Sequence, residues 1–270
     1  VSDPLSPRDS NFDITTNHYW RYHGLEALLE CKQPVTDSAD EDLFIAVHQI
    51  CELAFHQMIL DLERTLAALA TALAQPDPIV GETGETRYFL ARVLKLYGVV
   101  NQTLPILRTM RAFAEFRTSL GPTSGFQSFQ FRHLEIMCGV PTAYWQGGTS
   151  DREGRLHPAE VEFERQYGEQ VRAWLERHRS HSLTYYYCSL RERAGGELAL
   201  LRGHSQAAPL LAQLAALEVE QRRFHRNHLA LAAQQLEIVG ATRGTGGTAF
   251  QEYLAKYERE VAPLFPGLQP

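Results

Sequence analysis

The chain has 270 residues, 44% hydrophobic and 21% charged, a composition that excludes a disordered polymer and fits a globular protein. Its 32 Asp and Glu outweigh 26 Lys and Arg, and the resulting charge of −6 argues against a non-specific nucleic-acid binder, which needs a basic surplus. The four cysteines, Cys31, Cys51, Cys138 and Cys188, form no CxxC or CxxCH pattern; this disfavours a thiolate zinc site, thioether-linked heme and a disulfide scaffold, and favours a reducing cytoplasm.

Residues 1–16 are polar and contain prolines, so they read as a flexible arm without an apolar signal core. Residues 17–270 are expected to form one unit. No run approaches roughly 18 uninterrupted apolar residues, so no membrane span is expected. An aromatic cluster, His18-Tyr19-Trp20-Arg21-Tyr22-His23, leads into a short amphipathic helix, Leu25 to Cys31, which Pro34 ends. The spacing then predicts a long helix over Asp40–Leu73. Its Leu43, Phe44, Val47, Ile50, Cys51, Ala54, Phe55, Met58, Ile59 and Leu62 recur at threes and fours, and three acidic residues open it. A second long helical region runs from Thr83 to about Arg117, with bends expected near Gly98 and Pro105. A turn at Gly121–Gly125 precedes a helix over Phe126–Cys138, with Phe126, Phe129, Leu134 and Met137 facing inward. Residues 139–157 read as loop, Pro158–His178 as a charged amphipathic helix and Ser205–Val239 as a third long helix. A Gly-rich loop, Gly240–Gly247, and a last helix, Ala249–Val261, follow. Strand alternation and internal repeats are absent, so the class is all-α, a helical bundle with insertions.

His48 lies on an apolar stripe with Phe44, Cys51 and Phe55 at −4, +3 and +7. Pattern alone favours a core histidine satisfied locally. His225 and His228, three apart, offer either a shared metal pair or one imidazole for a heme iron; plain core or surface histidines are the alternative. There is no HExxH and no ExxH pair, and one imidazole on a Leu/Ala-rich helix suits heme better than zinc. Arg117 shares a helical face with Phe113 and, more loosely, Phe116. A guanidinium there needs an anion, either a substrate carboxylate or an internal Asp or Glu. Gly244-Thr245-Gly246-Gly247-Thr248 lacks the Gly-Lys-Ser/Thr ending of a phosphate loop and reads as a mobile loop over a site or as a connector.

Four stretches then stand out together: LFIAVHQICEL (43–53), FRTSLGP (116–122), SGFQSFQFR (124–132) and RGTGGT (243–248). In this order they resemble the tryptophan 2,3-dioxygenase family, over roughly 18–140 and 215–265. The resemblance implies heme b buried between long helices, O2 as co-substrate, a homo-oligomer (tetramer or dimer), and opening of the indole of L-tryptophan or a substituted tryptophan to an N-formylkynurenine-type product. It places His48 as the distal catalytic histidine near the indole nitrogen. His228, in FHRNH, falls on the proximal iron ligand, with His225 as the alternative. Arg117 falls on the carboxylate clamp, where Phe113 is a substrate-binding position with no hydroxyl to add, Phe44 and Phe116 fall on the indole pocket, and Thr245 on the loop that closes over the amino-acid moiety. Ser124 and Gly125 fall on cofactor-binding positions. Tyr19 and Tyr22 fall on pocket tyrosines lent by a neighbouring subunit. Related biosynthetic enzymes insert one oxygen into a tryptophan derivative, giving a 2-oxindole, or hydroxylate tyrosine, so monooxygenation is the alternative activity. A non-catalytic heme sensor is the third reading, and Arg117 on an apolar face argues against it.

Overall fold

The computed structural model describes residues 17–76, 84–120, 127–140, 158–241 and 261–268, and the regular structure among them is helical throughout. α1 (His18–Tyr22) begins where the Asn17 side chain accepts from the Tyr19 amide at 2.9 Å. α2 (Leu25–Leu29) follows Gly24 and stops two residues before the expected Cys31. Neither helix buries a residue.

α3 (Ala39–Leu73) is the long central helix. Asp40, Glu41 and Asp42 occupy its first turn, where the exposed amides favour negative charge. Glu41 is buried and accepts from the amides of Val35 and Thr36, both at 2.8 Å, and from the Thr36 hydroxyl. Burial alone pushes the Glu41 carboxyl pKa up, but these bonds outweigh it and leave the pKa lowered. Val47, Cys51, Ala54, Phe55, Met58, Leu62, Leu66 and Leu69 form the buried face. By length and composition this helix is apolar enough to cross a membrane, although charged residues interrupt its apolar run. Its apolar face is instead taken up by the bundle, and its Asp61 is buried between Arg64 (2.9 Å) and Arg92 (3.1 Å).

α4 (Gly84–Thr103) returns antiparallel, with the Arg64 guanidinium over the Phe89 ring at 5.4 Å. The expected helix to Arg117 is broken. Gly98 causes no interruption, but Pro105 opens a 3₁₀ turn (Leu104–Thr109), because proline lacks the amide that an α-helix uses at that point. Met110 is extended, and α5 (Phe113–Arg117) starts afresh. The carboxylate of Asp40 accepts from the amides of Arg111 (2.7 Å) and Ala112 (2.6 Å), so the first turn of α3 caps the start of α5.

α6 (Phe129–Cys138) starts later than expected. Its cap is Ser128, which accepts from the Phe131 amide and donates to Glu52 of α3 at 2.6 Å. It ends at Gly139, φ 107°, where a Cβ would stand 2.2 Å from the Thr184 hydroxyl oxygen. α7 (Pro158–His178) packs against α6 through Phe163, Tyr167, Val171 and Trp174, in a satellite cluster separate from the main core. Phe129 is half-buried there and does not enter the main core. α8 (Leu183–Arg193) and α9 (Leu198–Gly203) were not expected from the sequence. α10 (Ala207–Ile238) runs parallel to α4 and the 3₁₀ turn. Gln213 with Arg87, Asn227 with Asn101 and Gln234 with Arg108 all pair at the same offset of 126 residues. Residues 261–268 return to α10, where Glu218 accepts from the amides of Leu264 and Phe265. The arm 1–16, the turn 121–125 with Phe126, most of the loop 139–157, most of the Gly-rich loop and residues 249–260 of the expected last helix lie outside the described residues; Val261 is not helical.

Candidate functional site

His48 sits on α3, and its Nδ1 lies 2.7 Å from the carbonyl oxygen of Phe44. A carbonyl only accepts, so Nδ1 carries the proton and Nε2 keeps its lone pair. Burial lowers the pKa of His48. The Phe44 bond and the charge of Glu52 act in the opposite sense without cancelling it, so the ring is neutral at neutral pH.

An aromatic group forms around this imidazole. The Phe44 ring lies 4.2 Å from it, 5.6 Å from Phe116 and 6.3 Å from Phe113, and the last two are 5.4 Å apart. Phe113 and Phe116 are buried and come from α5, which Asp40 ties to the start of α3. Arg117 closes the same short helix one turn after Phe113 and is half-buried. The capped turn thus brings α5, with Phe113, Phe116 and Arg117, to the His48 end of α3, where Phe44 already stands.

His228 approaches from α10, with Phe224 as a ring neighbour at 6.2 Å. It makes no hydrogen bond among the described residues. Burial first, then the charges of His225, His48 and Arg132, lower its pKa to about 3. His48 and His228 are therefore two neutral imidazoles within electrostatic reach of each other, from two different long helices. A neutral imidazole with no hydrogen bond among the described residues has a lone pair of the kind that would hold a heme iron.

His225 is engaged elsewhere. Its Nε2 lies 2.9 Å from Glu135 Oε1, and Arg132 Nη1 lies 3.2 Å from Glu135 Oε2. All three side chains are buried. Sequence reasoning missed this cluster; the available signal was an Arg and a Glu three apart in the otherwise apolar FQFRHLEIMC. Among the described residues no three His, Cys, Asp or Glu side chains are grouped to hold a metal ion, so a metal shared by His225 and His228 has no third protein donor there. Glu52, also unforeseen, binds Ser128 and Gln130 of α6 one turn from His48.

Tyr19 and Tyr22 stand on α1 at 65% and 77% exposure, so this single chain does not bury them. Ser124, Gly125 and Thr245 lie outside the described residues.

A family model described as Tryptophan 2,3-dioxygenase matches residues 7–187, running through the middle of the chain, where no motif was legible. A tryptophan 2,3-dioxygenase of Bradyrhizobium sp. (strain ORS 278) is 30% identical over 269 residues, covering 93% of this chain and 90% of that protein. One from Ruegeria pomeroyi is 31% identical with the same coverage. One from Anaeromyxobacter sp. (strain K) is 40% identical over 123 residues, 45% of this chain and 43% of its own length.

Proposed function

Because the chain belongs to the tryptophan 2,3-dioxygenase family, we propose that it is a heme-dependent oxygenase that inserts both atoms of O2 into the indole ring of L-tryptophan or a substituted tryptophan. The product is then an opened, N-formylkynurenine-type ring. The observation that carries this reading is the pairing of two neutral imidazoles of different character. His48 has a fixed tautomer beside three phenylalanines, and His228 makes no hydrogen bond among the described residues. When bound, heme b supplies the iron that activates O2.

His228 is the residue that would hold this cofactor, since the Nε2 of His225 faces Glu135 at ion-pair distance, 2.9 Å. His48 offers the Nε2 lone pair to the indole N–H. It orients the ring and can hold that proton at Nε2. Phe44, Phe113 and Phe116 enclose the planar indole and exclude water from it. Arg117 clamps the substrate carboxylate with a two-pronged, charge-assisted contact. Thr245 closes over the amino-acid moiety, and Ser124 and Gly125 line the cofactor, by the family resemblance of their motifs. Tyr19 and Tyr22, exposed here, complete the pocket of a second copy in a homo-oligomer. The cysteines Cys31, Cys51, Cys138 and Cys188 are free, in keeping with a reducing cytoplasm.

The test is turnover of L-tryptophan under isotopically labelled O2, read by product mass. Two labelled oxygens in the product are expected. One labelled oxygen replaces this reading with monooxygenation, and none, from protein carrying a full heme complement, contradicts an oxygenase of tryptophan.

A further inference from the structure

α10 carries two histidines one turn apart, and a heme iron takes one imidazole from this helix. The side chains around His225 separate the two. Glu135, Arg132 and His225 are 0%, 4% and 4% exposed. Glu135 reaches His225 Nε2 with one oxygen (2.9 Å) and Arg132 with the other (3.2 Å), while the Arg132 guanidinium lies over the Phe131 ring at 4.9 Å. A buried ion cluster of this kind contributes little net stability compared with apolar side chains of the same volume, and its best-attested use is to fix register.

Both ends of α6 are held. Ser128 and Gln130 bind Glu52 of α3 at its start, and Gly139 packs under Thr184 at its end. Glu135 is therefore a fixed point. On its other side α10 is tied to α4 and the 3₁₀ turn through Asn227 to Asn101 and Gln234 to Arg108. The Glu135–His225 contact is a polar tie on the α6 side, one helical turn from His228.

We propose that Glu135, steadied by Arg132, is a positioning residue that selects which histidine of α10 meets the heme: it takes Nε2 of His225, fixes the rotation of α10, and leaves His228 as the imidazole offered to iron. This rests on the reading of His228 as the heme ligand. Glu135→Asp keeps the charge but withdraws its reach by one methylene. Glu135→Gln keeps the length and one acceptor but removes the charge.

The experiment adds hemin to the wild type, Glu135→Asp, Glu135→Gln, Glu135→Asp/His225→Gln and His228→Ala, each checked by thermal melting. It reads hemin affinity from the Soret band and the ferrous iron–histidine stretching band by resonance Raman. Glu135→Asp is expected to lower hemin affinity and to split the iron–histidine band in two, one component from each histidine of α10. Adding His225→Gln to it returns a single band, which a merely structural defect would not do. Glu135→Gln gives the same split, weaker, and serves if the aspartate variant does not fold. Wild-type affinity and one unshifted band in the folded Glu135 variants overturn the selection role while His228→Ala still loses the band. A His228→Ala protein that keeps the wild-type band overturns the ligand reading and this proposal together.

Discussion

Two sets of histidines in this bundle share low basicity and differ in what surrounds them. His48 and His228 belong to two long core helices and lie among phenylalanines, with Arg117 supplied by a third element. His133 and His178 lie where α6 meets α7. The His133 ring stacks on Trp174 at 3.9 Å with 4° between planes, and the His178 ring is 5.5 Å away. His178 Nδ1 donates to the His181 carbonyl at 2.6 Å, and His181 Nδ1 is 2.6 Å from the Tyr186 hydroxyl. The Nε2 atoms of His133 and His178 are buried without a hydrogen-bond partner among the described residues. Burial lowers both pKa values, and the charge of Arg177 adds to it. Low basicity alone therefore does not mark a site. A fixed tautomer does not mark one either, since His178 shares it with His48; the Phe44, Phe113 and Phe116 rings beside His48, with Arg117 on α5, distinguish the first set.

Substitution separates the two sets most sharply. His228→Ala should abolish stoichiometric heme binding, read as loss of the Soret band, whereas His133→Ala should keep it. Equal loss in both would erase the distinction.

The second contrast is in pH dependence. His133 titrates at about 4 in the folded chain, against an ordinary value of 6.5. Between these values the unfolded chain binds the proton and the folded chain does not. Stability is therefore full above pH 6.5 and falls as the pH drops towards 4, by about 3 kcal/mol from this group. His133→Phe, which keeps the stack on Trp174, should flatten that part of a urea-melt pH profile. A profile unchanged by the substitution would remove His133 as its source.

A smaller effect is expected at the clamp. Arg117→Ala should weaken tryptophan binding by about 2 kcal/mol, roughly thirtyfold, the scale of a lost charged hydrogen-bonded pair. The smallest effect concerns Glu52, whose charge raises the His48 pKa against the lowering by burial. Glu52→Gln should move the acid limb of kcat/KM slightly to lower pH, since His48 then stays neutral further into acid. A shift to higher pH would contradict the need for neutral His48.

Much of this was legible in the sequence where burial repeats with the helical period. α3 and α10 follow directly from apolar residues at threes and fours, and His48 was visible on the α3 stripe. The break after Thr103 was only partly legible. Pro105 announces a bend, but the new helix depends on Asp40, 71 residues from Arg111. α8 escaped detection because its LTYYYCSLRER lacks a clean apolar stripe. It buries Tyr186 and Tyr187 by giving their hydroxyls partners, His181 and the Pro266 carbonyl. The Glu135–His225 contact was hidden for the same reason: its partners lie on helices far apart in sequence, and no local pattern joins them. The tautomer of His48 depends on a single carbonyl and cannot be read from residue types.

The most direct test of the whole arrangement is an anaerobic titration of the heme-loaded chain with L-tryptophan, followed in the Soret band. A saturable shift that Arg117→Ala weakens is the expected result, since the clamp holds the indole against His48 beside the iron. A Soret band indifferent to tryptophan would contradict a substrate pocket joining Arg117, His48 and His228.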